Sequence, residues 1–162
     1  MLPENNNRKK YAIIVIADGF EETAVTDFIS LLREAGLCVK TVGLTSGLIG
    51  SAHGAWLMPD LTLTDLDLLI NTMSISVIIL LEGRKGLSRL ETDPRVHRLL
   101  RQVVAQHGQI ATSFEGLHAL QTAAIWGNRH EKIDDAKETT VILRAPEQSL
   151  EAFARDLIWR LK

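Results

Sequence analysis

From Tyr11 to Ala17 the chain reads YAIIVIA, an unbroken and mostly β-branched apolar run, the pattern of a strand covered on both faces. Asp18-Gly19 ends it. From Thr23 to Ala35 the apolar residues Ala24, Val25, Phe28, Leu31, Leu32 and Ala35 share one helical face, and Gly36 stands where a left-handed cap belongs. Leu37–Leu44 predicts a second strand, with Val39 and Val42 its apolar β-branched positions. Strand, helix and strand in direct succession form a βαβ unit, so the sheet is expected to be parallel.

Ser46–Met58, with Gly47, Gly50 and Gly54 between short apolar pieces, predicts a hairpin or an irregular edge excursion. Leu61–Asn71 is open between readings, although its leucines fit a short helix. Val77–Leu81 predicts a third buried strand, followed by the turn Glu82-Gly83-Arg84. Thr92-Asp93-Pro94 is a helix start, and Val96, Leu99, Leu100, Val103 and Val104 keep helical spacing up to Gly108. A fourth strand (Gln109–Ser113), a helix (Gly116–Ile125), a polar connection (Trp126–Lys137), a last strand (Thr139–Leu143) and a last helix (Ser149–Leu161) complete the pattern. The expected architecture is one three-layer αβα sandwich over residues 11–162, with a mainly parallel sheet and a flexible tail before it at residues 1–10.

Composition narrows the function. At 162 residues and 46% hydrophobic, the chain can bury a core, while 18 Lys+Arg against 20 Asp+Glu lack the basic excess expected of a nucleic-acid binder. The longest apolar runs, Ile13–Ala17 and Val77–Leu81, fall far short of the roughly 20 residues that span a bilayer. Met1–Lys10 lacks the apolar stretch of a signal peptide. The single cysteine, Cys38, excludes an intramolecular disulfide, a Cys-based zinc site and a CxxC pair, and fits a cytoplasmic location. No GxGxxG or GxxxxGK[ST] motif occurs, so no nucleotide cofactor is expected. His53, His97, His107, His118 and His130 form no HxxxH or HxH pair, so no metal site is expected either.

The strand and turn Ala12–Glu22, the helix end Leu32-Arg33-Glu34-Ala35-Gly36, the strand Val39–Gly43 and Pro59-Asp60 with Leu63-Thr64-Asp65 follow one another along the chain. With Leu87–Leu100, Gly108–Gly116, and Arg144-Ala145-Pro146 before the last helix, they resemble the ThiJ/PfpI superfamily, whose flavodoxin-like fold is related to class I glutamine amidotransferases. The resemblance spans residues 11–161. It implies a strand-to-helix elbow carrying a nucleophilic cysteine two residues before a small residue, where a helix N-terminus stabilises the thiolate. It also implies a glutamate touching that cysteine, a Pro-Gly-Gly turn whose amides hold an oxyanion, and assembly as homodimers or larger rings.

All three chemical positions differ here. Gly116 places the nucleophile position at Phe114, the glutamate position is Ala24, and the Pro-Gly-Gly turn reads Glu82-Gly83-Arg84. A phenyl ring offers no lone pair for attack. Lacking chemistry to maintain, Phe114 is expected to adopt ordinary backbone angles and to fill or reshape the pocket, with Glu82 and Arg84 at its rim. Cys38 begins the second strand, at the sheet edge opposite the ligand-binding one, and reads as a small apolar filler or a half-exposed thiol.

The remaining candidates carry paired readings. Ser113, Glu115 and His118 suggest a rebuilt triad with Glu21 as a further base, which would make a small-molecule hydrolase or lyase. The plainer reading has Thr112 and Ser113 capping a helix and Glu115 facing its dipole. Arg84 with Lys85 could hold an anionic metabolite, or be a solvated turn charge. His130 falls where some family members supply a histidine. Trp56, Trp126 and Trp159 could be core or contact a protein partner. The leading expectation is a catalytically inactive, oligomeric binding or regulatory scaffold; the alternatives are the rebuilt hydrolase and an anion sensor.

Overall fold

The computed structural model describes residues 8–123 and 140–162; the candidates Trp126 and His130 and the polar connection around them lie outside these residues. The chain begins with β1 (Lys10–Ile16), α1 (Glu22–Glu34), β2 (Cys38–Gly43), β3 (Ile49–Gly50) and β4 (Trp56–Leu57). Next come β5 (Leu61–Thr62), α2 (Leu63–Leu69), β6 (Ser74–Leu80), α3 (Arg84–Thr92) and α4 (Pro94–Ala105). After β7 (Gln109–Thr112) a 3-10 turn (Phe114–Gly116) leads into α5 (Leu117–Thr122), and β8 (Val141–Leu143) and α6 (Leu150–Leu161) close the described chain. Six strands form one sheet in the order β5-β2-β1-β6-β7-β8, and every neighbouring pair is parallel.

The β-branched runs are explained by their two covered faces. Along β1 and just beyond it, Ile13, Val15 and Ala17 pack into the layer made by α2, α3, α4 and α5. Ala12, Ile14 and Ile16 enter the opposite layer with α1 and α6. Alternate side chains of a strand point to opposite faces, so a strand with helices on both sides has no polar position to spare. The second layer is closed by Phe28 of α1 against Phe153 of α6, with ring centroids 5.6 Å apart.

Helix boundaries follow local chemistry. The ambiguous stretch after Pro59 resolves into the two-residue edge strand β5 and the helix α2, started by a capping box in which Thr62 and Asp65 satisfy each other's amides. Asp93 caps α4, its carboxylate accepting from the Arg95 amide at 2.8 Å, with Pro94 in the first turn. The side-chain hydrogen bond from Arg95 holds the Asp93 carboxyl below the usual aspartate range. A carboxyl depressed on folding stabilises the native state above its unfolded value and loses that contribution as pH falls through the native value. Asp93→Ala is therefore expected to cost about 1 kcal/mol at pH 7. The gap from wild type should narrow in denaturant titrations repeated through the acid range, and a gap that widened on acidification would refute the assignment.

Three expectations change. Arg84 is not a turn residue but the first residue of α3. The stretch Leu87–Leu100 is two helices broken at Asp93, whose extended backbone (ψ 116°) serves as end and start at once. The expected helix from Gly116 begins earlier, as the 3-10 turn. At the end of α4, His107 takes the left-handed position (φ 65°), with the amides of His107 and Gly108 bonded back to Val104 and Val103. Such a cap exposes the last carbonyls less, at the cost of a strained non-glycine residue. No described helix is long and apolar enough to cross a membrane.

Candidate functional site

In this strand order the chain leaves β1 for β2 on one side and later places β6 on the other, so β1 and β6 flank the switch point where open α/β sheets form crevices. Three segments meet at the carboxyl ends of these strands. The turn after β1 is bonded to the β3–β4 hairpin by the Gly19 amide to the Gly50 carbonyl (2.8 Å) and the Ala52 amide to the Phe20 carbonyl (2.8 Å). Asp18 Oδ1 accepts from the Gly50 amide at 3.0 Å. The Glu21 amide reaches the Glu82 carbonyl at 3.3 Å, tying the first turn to the turn after β6. Between them lies a cleft of about 540 Å³ lined by Glu21, His53, Trp56, Arg84, Lys85 and Arg89 among others.

Gly83 makes this junction possible. Its φ is 124°, and a Cβ there would stand 2.9 Å from the Glu21 amide nitrogen and 3.0 Å from the Gly19 carbonyl oxygen. The residue directly precedes α3, which has no side-chain cap at its N-terminus. The first turn of α3 carries Arg84 and Lys85 at the positive end of the helix dipole, so this wall of the cleft is electropositive.

The elbow after β7 differs from the expectation in one respect and matches it in another. Phe114 is 61% exposed and does not fill a pocket. Two residues earlier, Thr112 is wholly buried and donates to the Leu80 carbonyl (3.0 Å). The backbone at Phe114 is ordinary: His107 is the one non-glycine residue at positive φ among the described residues. Gly116 is required by packing, since a Cβ there would overlap Thr112 Oγ1.

The sequence-proposed residues are only partly brought together. Ser113 is buried and its Oγ has no hydrogen-bond partner, so it is bonded to neither Glu115 nor His118. The His118 Nδ1 lies 3.0 Å from Glu91 Oε2, and both His118 and Glu115 are exposed. The triad is therefore not assembled, because the first turn of α5 directs His118 toward α3. The capping reading also needs correction: the Ser113 side chain makes no cap, and Thr112 bonds to β6 instead. Ala24 is buried in the apolar face of α1. Glu82 is not a free rim carboxylate, since Arg144, which also donates to the Gln148 carbonyl (2.9 Å), is paired with it. Cys38 is half-buried at the start of β2, the far edge of the sheet.

Glu21 does find partners, and through a residue whose role the histidine spacing could not disclose. His53 Nδ1 lies 3.2 Å from Glu22 Oε1 and 3.6 Å from Glu21 Oε1. The hydrogen bond to Glu22, followed by the charges of both glutamates, raises the His53 pKa. Glu22 is lowered, first by its own backbone amide and then by His53 and Ser51. Glu21, Glu22 and His53 offer donor atoms that all lie within 4.8 Å of one another. Sequence spacing carried no sign of this, because a helix and a strand separate the glutamates from the hairpin that brings His53 back.

Residues 10–131 match the family model described as the DJ-1/PfpI family. The fold is similar to that of Drosophila melanogaster DJ-1beta, with 21% identity and a TM-score of 0.79, covering 94% of this chain and 90% of that one. It is similar to Schizosaccharomyces pombe DJ-1, with 15% identity and a TM-score of 0.73, covering 94% and 92%. A mutant DJ-1 superfamily protein from Salmonella typhimurium shares 20% identity with a TM-score of 0.72, over 94% and 90%. By sequence, the chain matches no curated protein.

Proposed function

The chain belongs to the DJ-1/PfpI family, and from that premise we propose that it is a catalytically silent member serving as a homo-oligomeric binding or regulatory scaffold, a single α/β domain over residues 11–162. The observation that carries the reading is the elbow: position 114 holds an exposed phenyl ring at ordinary backbone angles. The other two positions support it. Ala24 is buried among apolar side chains, and Glu82 is neutralised by Arg144. Self-association is supported by Leu48, Trp56 and Met58, which leave a large apolar area exposed around the hairpin, and by Trp159 at 75% exposure on α6. Aromatic residues of this kind anchor interfaces.

The test is to put the thiol back. Phe114→Cys is expected to give a thiol that alkylates with a midpoint near the ordinary cysteine value of about 8.5, and no hydrolase, glyoxalase or amidase turnover. Wild-type turnover abolished by Ser113→Ala would overturn the reading. Sedimentation of the full chain should give a species heavier than a monomer.

A second reading rests on the cleft wall. Arg84 and Lys85 stand there at a helix N-terminus and Arg89, from the last turn of the same helix, lines the same cleft, an arrangement suited to a carboxylate or phosphate. A thermal-shift screen of anionic metabolites, repeated on Arg84→Ala, separates a sensor from a pure scaffold.

A further inference from the structure

We propose that Glu21, Glu22 and His53 form a binding site for a divalent first-row transition-metal ion, of the zinc or cobalt class that takes imidazole and carboxylate ligands together. The geometry is the first ground. A metal about 2.0–2.2 Å from each ligand atom sets neighbouring donors about 3.0–3.6 Å apart, whether tetrahedral or octahedral. The donor pairs centred on His53 Nδ1, at 3.2 Å and 3.6 Å, already have that separation. The third pair, between the two glutamates, lies within 4.8 Å, and side-chain rotation would bring it to the same separation around a cation.

The second ground is an unsatisfied atom. Glu22 Oε2 is buried and has no hydrogen-bond partner. An unpaired carboxylate oxygen away from water carries a desolvation cost, which a cation held by Oε1 of the same carboxylate would offset by its charge. Two carboxylates facing one imidazole also leave a negative excess at the cluster, which a dication neutralises.

The third ground is preorganisation. Glu21 and Glu22 stand at the start of α1 and His53 at the hairpin tip. The two segments are joined by the Gly19–Gly50, Phe20–Ala52 and Asp18–Gly50 hydrogen bonds. Ser51 further shapes the tip, its Oγ accepting from the Ala55 amide at 2.9 Å. The imidazole donor points away from magnesium and calcium, which prefer oxygen ligands throughout. His53 is exposed and the cleft is open, so positions beyond the three protein ligands are left to water or an exogenous group, the arrangement of an open rather than a closed site. Arg84, Lys85 and Arg89 on the same cleft favour an anion completing the coordination. The inference is independent of the scaffold reading, since neither position 114 nor oligomer formation enters it.

The experiment is calorimetric titration of the chelator-treated full chain with zinc chloride, and with cobalt chloride while following visible absorption. One ion per chain is expected at micromolar affinity or tighter, with cobalt developing ligand-field bands. His53→Ala and Glu22→Gln should each weaken binding at least tenfold while retaining the wild-type circular dichroism. His118→Ala, which removes the histidine paired with Glu91, should bind as wild type does. Affinity no better than millimolar, or affinity unchanged in His53→Ala, would overturn the proposal. So would a loss in His118→Ala equal to that in His53→Ala.

Discussion

Phe28→Ala is expected to destabilise the protein by about 3–5 kcal/mol, the range for emptying an aromatic site in a packed core. The ring is fully buried and sits against Phe153 at an interplanar angle of 45°, so its loss leaves a void between the two helices that flank one face of the sheet. At roughly 2–4 °C per kcal/mol for a chain of this size, the melting temperature should drop by roughly 6–20 °C. Combining it with Phe153→Ala should give a double-mutant loss smaller than the sum, because the aromatic contact of about 0.5–1.5 kcal/mol is removed by either change. Strict additivity would show that the two rings do not support each other.

Gly83→Ala should cost about 2–6 kcal/mol, from left-handed strain of about 1–3 kcal/mol and overpacking of similar size. The atoms that the new methyl meets are backbone atoms of Gly19, Phe20 and Glu21, which cannot rotate away as a side chain could. The variant would push the first turn off the turn after β6, where the Glu21 amide meets the Glu82 carbonyl. Equilibrium denaturation measures the loss, and a value below about 1 kcal/mol would show that the junction is softer than its packing indicates. Gly36→Ala is the control: its φ is also positive, at 85°, but nothing lies within 4 Å of the added methyl, so it isolates the strain.

Most of the architecture was legible in the sequence. The runs Ile13–Ala17 and Val77–Leu81, in and just beyond β1 and β6, have no polar position because both faces are covered, and the helical faces of α1, α4 and α6 follow the same logic on one side only. The parallel sheet follows from the alternation of these elements. The least legible stretches were short: β5 and α2 share a leucine-rich segment too brief for periodicity to separate them, and the break at Asp93 needed the cap geometry.

The site was legible chiefly as a set of departures. Residue identities at Phe114, Ala24 and Glu82 fix which functional groups stand at the positions the resemblance singles out. Where those side chains point was another matter. Phe114 is exposed while Thr112 is held to β6, Glu82 is taken up by Arg144 from beyond β8, and Ser113 is stranded while His118 turns to Glu91.

The sequence by itself thus determined the layers, the parallel sheet and which functional groups stand at positions 24, 82 and 114, because periodicity and side-chain chemistry are local properties of the chain. Tertiary structure alone decided the pairing of Glu21 and Glu22 with His53 and the shape of the cleft. Those depend on distances between segments remote in sequence, set by hydrogen bonds such as Gly19 to Gly50 that any residue's backbone can make and no side-chain pattern records.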